Sequence, residues 1–213
     1  RDPEMSRGLG DVYKRQDYSL GKNFADFADQ FSKDSRYRTE LYKLRRKFMS
    51  HADGLIHADL HTSNIMASRD KMKVIDMEFA FMGPFGYDLG YLVGNLISQY
   101  CAACFKRFPS EQSRKQFKAY LLATIKSLIE TYMKTFTLCW EKSVKERYRG
   151  QQGLLQSILQ EVMVDMPGYA SMVNWFRSVS EIPYPDFDVI ENKDAKRNAT
   201  VLSLMIDWGI MLS

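Results

Sequence analysis

The side chains best able to do chemistry lie in one run, His57-Ala58-Asp59-Leu60-His61-Thr62-Ser63-Asn64, and in a later triplet, Asp76-Met77-Glu78. An amide follows the first carboxylate by five positions, and two more carboxylates come after a segment that reads as a turn-linked strand pair. Transfer of a phosphoryl group to a hydroxyl needs these parts. One carboxylate orients or takes the alcohol proton, and oxygen ligands hold Mg2+ between the phosphates. On this reading Asp59 is the base, and Asp76, Glu78 and Asn64 are the metal ligands. An extended backbone would put Asp76 and Glu78 on the same side, because strand side chains alternate. All three carboxylates also sit near apolar runs, where an unpaired charge is costly. His57 reads as a hydrogen-bonder that holds the loop rather than as a proton carrier. Asp88 reads as a helix cap that braces the loop from below.

Other chemistries fit less well. His57 and His61 flank Asp59 in the manner of a zinc-ligand pair, but no third His or Cys follows at ligand spacing. Cys101 and Cys104 form a C-x-x-C without a second pair, which reads as core thiols. The cations Lys43, Arg45, Arg46 and Lys47, and the group Lys106, Arg107, Arg114, Lys115 and Lys118, read as solvated helix faces.

The elements that must position the loop follow from periodicity. Phe24, Phe27, Ala28 and Phe31, then Leu41, Leu44 and Phe48, have helical spacing, with a break near Ser35. Runs at 55–57, 65–67 and 72–75 are short and β-prone, the last two joined by Ser68-Arg69-Asp70-Lys71. A Gly/Pro/aromatic loop is expected from Asp76 to Asp88, then a helix to about Phe105. A long helix should open at Pro109-Ser110-Glu111 and run to about Arg149. Gly150 and Gly153 mark a break before three helices, 154–164, 168–180 and 191–212. The fold class expected is mostly α with a small β-hairpin region.

With 213 residues, 45% hydrophobic and 13% aromatic, the chain has material for one core and is not a disordered class. No apolar run reaches the roughly 18 residues that span a bilayer, so no membrane partner is expected. Thirty basic and 26 acidic residues leave a net charge of +4, too mild to argue for nucleic acid. Three cysteines fit reduced thiols in a cytoplasmic protein. Residues 1–16 lack periodicity; Asp11 to Gln16 resembles translated sequencing adapter, with a disordered N-terminus as the alternative. That segment is set aside, and residues 17–213 form the folded unit, with a catalytic loop at 55–67 and a metal loop at 74–90.

The interval from Asp59 to Asn64 repeats the H-x-D-x-x-x-x-N of protein kinases, where an aspartate follows after a hairpin. The longer stretches LIHADLHTSNIM and VIDMEFAFMGPFGYDLGYLVGNLI resemble the methylthioribose kinases, small-molecule kinases of the aminoglycoside phosphotransferase-like group. DMPGYASMVNWFRS, from Asp165 to Ser178, is similar to a later segment of that family that ends in an arginine pair. The resemblance implies a protein-kinase-like C-terminal lobe. It also implies ATP-dependent phosphorylation of the C1 hydroxyl of 5-methylthioribose in methionine salvage, and a homodimer of the full-length protein. Carried over, Asp59 binds the sugar and acts as base. Asp76, Met77 and Glu78, with Asn64, line the ATP and Mg2+ site, and Arg177 neutralises charge near the substrate.

Three positions depart from the family. Ala58 replaces a glycine, which costs about 1 kcal/mol if φ is positive there. Asn64 replaces a serine, and Phe176 replaces the first arginine. No Gly-rich loop or strand-borne lysine precedes Leu55, so the chain is expected to be a C-terminal lobe that lacks the N-lobe and turns over no ATP alone. Two other readings stand beside this one. They are a related kinase for choline, an aminoglycoside or another sugar, and a non-catalytic binding module.

Overall fold

The computed structural model describes residues 29–30, 33–179 and 184–213. The segment 1–16 and the apolar positions Phe24, Phe27, Ala28 and Phe31 lie outside the described residues. The break expected near Ser35 is present. Asp34 is an extended N-cap whose carboxylate accepts from the Arg36 N–H at 2.8 Å, and helix α1 runs from it over Ser35–Ser50. The same carboxylate accepts from the Trp208 indole at 3.0 Å, and its bonds to Arg36 hold it well below the usual carboxylate range. Tyr37, Leu41, Leu44 and Phe48 form the buried stripe of α1. Lys47 departs from the expected solvated face, because its ammonium lies between Glu161 and Asp165, 2.5 Å from the latter.

Two short antiparallel ladders follow. Strand β1 covers Gly54–Ile56, β2 Ile65–Ala67 and β3 Met72–Val74. β2 pairs with β3 in the register Ile65↔Val74, closed by Ser68 and Lys71 as expected. The second ladder was not legible: β4, Phe81–Gly83, lies inside the stretch that reads as loop and pairs with β1 through Leu55↔Met82. Tertiary packing overrides local texture here, for the Phe81 ring meets Phe48 edge-on at 5.1 Å.

Helix α2 spans Gly86–Phe105 and begins two residues before Asp88. Asp88 is therefore a first-turn residue rather than the cap. Helix α3 starts from the Ser110 N-cap and covers Glu111–Ser143, ending short of Arg149 in a single 3-10 turn at Glu146–Tyr148. Helix α4, Gln152–Val179, unites the two helices expected at 154–164 and 168–180. Pro167 has no N–H for the Met163 carbonyl, yet dense packing on both sides of the gap carries the helix through. Helices α5, Pro185–Asp188, and α6, Lys193–Met211, complete the described residues. The second basic group also departs from a plain solvated face: Lys106 lies over the Phe108 and Phe117 rings, and Lys118 over Tyr100. Cys101 is buried as expected, but Cys104 is only partly so.

The core is a helical layer centred on α4. Trp175 and Tyr169 are fully buried there, Trp175 beside Tyr37 and Tyr169 beside Tyr87. α2 lies against α4 at glycine distance, since a Cβ on Gly90 would stand 2.7 Å from the Met166 carbonyl and 2.6 Å from Tyr169 Cβ. Gly90→Ala should lower stability by about 3 kcal/mol, because neither contact is a flexible side-chain end. A urea midpoint unchanged from the native chain would contradict it.

Helices α2, α4 and α6 are also tied by a buried polar chain: Ser98 donates to Asn174 at 2.6 Å, and Asn174 to Asp207 at 2.7 Å. Asp207 Oδ2 has no partner among the described residues, and burial pushes this carboxyl well above its usual range against the pull of the Asn174 amide. A carboxyl with a raised folded pKa supports the fold fully below its unfolded value near 3.8, and that support is lost as pH rises through the folded value. Asp207→Asn should remove this dependence. The Tm of the variant relative to the native chain should rise steadily from pH 4 to pH 8, and a flat difference would contradict the assignment.

Candidate active site

The loop 57–64 is fixed from below by a polar stripe on α2. Asp88 accepts the His57 N–H at 2.6 Å and the Ala58 N–H at 3.0 Å, one on each carboxylate oxygen. One turn on, the Tyr91 hydroxyl donates to Asp59 Oδ1 at 2.8 Å. A turn further, Asn95 Oδ1 accepts the Thr62 N–H at 3.3 Å. Positions 88, 91 and 95 share one helix face, so a rigid element tracks the loop nearly residue by residue. Burial raises the Asp88 carboxyl above its usual range, partly offset by the two backbone donors.

Within the loop, His57 Nε2 lies 2.8 Å from the Ile75 carbonyl, and Nδ1 lies 3.3 Å from the Asp59 N–H. A carbonyl only accepts, so Nε2 carries the proton and Nδ1 accepts. Both ring nitrogens are engaged, which closes the zinc alternative at this residue. The bond to Ile75 also couples the loop to the residue just before Asp76. Asn64 is buried and donates its amide to the Asp59 carbonyl at 3.0 Å, while its Oδ1 accepts no hydrogen bond among the described residues.

Ala58 has φ of +70° and is fully buried. The condition set by the missing glycine is met, and alanine costs about 1 kcal/mol there, held in place by the bond from its N–H to Asp88.

The metal loop differs from the extended geometry expected. Asp76 has φ of +65°, and Met77 to Ala80 closes a turn through a 3.1 Å bond from the Ala80 N–H. The alternation that would align Asp76 with Glu78 therefore does not apply. Asp76, Met77 and Glu78 are exposed, not set in apolar surroundings, because these residues lie past the end of β3 on an open face. Among the described residues, no three His, Cys, Asp or Glu side chains converge to hold a metal ion. The donor chemistry still suits an oxygen-seeking cation: among the described residues neither Asp76 nor Glu78 forms an ion pair and the Asn64 side-chain oxygen accepts no hydrogen bond.

Arg177 is not presented as a free cation. Its guanidinium bonds to Asp186 at 2.5 and 2.6 Å, with both side chains nearly buried, and lies 4.5 Å from the Tyr184 ring. Gln99 also donates to Asp186, and Phe176 meets Tyr184 edge-on. Tyr91 and Asn95 escaped the sequence reading, although polar residues one and two turns after Asp88 in an apolar helix carried the signal.

The fold is a mostly helical unit with short strand pairs, and its kinase-like loop is braced by a helix. The chain matches the phosphotransferase enzyme family over residues 2–128 and belongs to that family. It is 36% identical over 170 residues to a methylthioribose kinase of Geobacillus thermodenitrificans, covering 78% of this chain and 40% of that protein. The methylthioribose kinase of Geobacillus sp. WCH70 is 32% identical over 179 residues, covering 84% and 42%, and that of Pectobacterium atrosepticum 31% over 153, covering 72% and 38%. The chain thus spans about two fifths of the length of these relatives. Among the described residues no helix is long and apolar enough to cross a membrane.

Proposed function

We propose that the full-length protein containing this segment transfers the γ-phosphoryl group of ATP to the C1 hydroxyl of 5-methylthioribose, in methionine salvage. The observation that carries this reading is the 36% identity to a methylthioribose kinase, together with a loop in which Asp59 is held by an α2 stripe. Asp59 Oδ2 accepts the alcohol proton as the alcohol oxygen bonds to the γ-phosphorus and the bond to the ADP oxygen breaks. Asp76, Glu78 and Asn64 would hold Mg2+, which when bound neutralises phosphate charge.

One observation favours a second reading, another small-molecule kinase of the same family. Phe176 stands at one position of the arginine pair, and Arg177 is neutralised by Asp186, so neither residue offers a spare positive charge. The contacts through which the family's arginine pair meets its acceptor are therefore altered here, which leaves room for a different acceptor. A panel of methylthioribose, choline and an aminoglycoside, assayed with the full-length protein for ADP release, separates the two. Turnover of methylthioribose supports the first reading, and turnover of another acceptor alone replaces it. These 213 residues assayed alone should release no ADP.

A further inference from the structure

We infer that Tyr91 is a positioning residue for Asp59: its hydroxyl occupies Oδ1 and leaves Oδ2 as the oxygen that meets the acceptor alcohol. This inference rests on the phosphoryl-transfer reading above and assigns a role within the same site.

A carboxylate turns easily about its last bond, and its two oxygens are equivalent until something distinguishes them. The main chain of Asp59 is already fixed. Its N–H meets His57 Nδ1, and its carbonyl accepts from the Asn64 amide and the His61 N–H at 3.0 and 2.9 Å. None of these bonds orients the carboxylate. The 2.8 Å bond from Tyr91 does, being the sole hydrogen bond to that carboxylate among the described residues. His61 Nε2 lies 3.6 Å from Oδ2, too far for a good hydrogen bond. Oδ2 is thus left on the partly open side of the residue, whose side chain keeps 23% of its exposure.

Tyr91 can hold this bond firmly. Its ring packs against Tyr87 at 6.0 Å, and its carbonyl accepts from the Asn95 amide at 3.3 Å. Burial, with the nearby Tyr87 and Asp59, pushes its phenol well above the usual range, so it remains a donor at any working pH. A base must present its lone pair along the line of the alcohol proton, and misplacement by about 1 Å costs on the order of a hundredfold in rate.

Tyr91→Phe keeps the ring and removes only the donor. In the full-length protein, with methylthioribose as acceptor, kcat should fall roughly 10- to 100-fold while KM for the acceptor stays within about threefold. In an Asp59→Asn background the same change should cost nothing further, because Tyr91 acts through Asp59. A readout free of activity is the 13Cγ resonance of Asp59 in the full-length protein, which should move in Tyr91→Phe. An active enzyme in which Tyr91→Phe leaves kcat within twofold, or leaves that resonance unmoved, overturns the role of Tyr91 alone. A resonance that moves while the native protein phosphorylates no alcohol overturns the phosphoryl-transfer reading, and the positioning role with it.

Discussion

Asp59→Asn in the full-length protein should lower kcat for phosphoryl transfer by about a thousandfold, with Tm within about 2 °C of the native protein. The amide fills the same space, and its oxygen can still accept from Tyr91, which donates to Oδ1 in the native loop. The main-chain bonds of residue 59 to His57, His61 and Asn64 do not involve the carboxylate. Only the capacity to take a proton is lost. Coupled ADP release measures the rate, and differential scanning fluorimetry the stability. A variant that keeps more than a tenth of native kcat would remove Asp59 from the role of base.

The second large effect is on stability. Asp88→Ala strands two N–H groups, those of His57 and Ala58, which the carboxylate accepts at 2.6 and 3.0 Å. Each buried donor left unpaired costs about 1–3 kcal/mol, so a loss of about 3 kcal/mol and a Tm drop of about 6–12 °C are expected. The damage should spread further. Ala58 is held at φ of +70°, and without its bond to Asp88 the left-handed conformation has less to oppose its relaxation. Relaxation there would turn the peptide next to Asp59, so activity should fall along with stability. Asp88→Asn, which keeps one acceptor oxygen, should lose about half as much stability as Asp88→Ala. Equal losses in the two variants would mean that the acceptor pair is not what holds the loop.

How far the site was legible in the sequence depended on how local each interaction is. The Ser68–Lys71 turn, the Ser110 cap and the break at Asp34 all rest on bonds within a few residues, and turn and cap chemistry reveals such bonds. The bracing role of Asp88 was also legible, since a carboxylate at the start of an apolar helix needs a partner. Strand β4 was hidden because its partner β1 lies 27 residues earlier and its three residues sit in a Gly/Pro/aromatic run. Pro167 misled because the packing of α4 against α2 outweighs the missing N–H. The turn at Asp76 could not be read from strand alternation, which holds only while the backbone is extended. Arg177 had a carboxylate nine residues later as its partner, a pairing that periodicity does not reveal.

The most direct test is transfer of labelled γ-phosphate from ATP by the full-length protein, with Mg2+ and 5-methylthioribose, followed by 31P NMR of the product. A phosphomonoester on the C1 oxygen is expected in the native protein, and almost none in Asp59→Asn. Labelled inorganic phosphate without labelled sugar, or equal sugar labelling in both proteins, would contradict it.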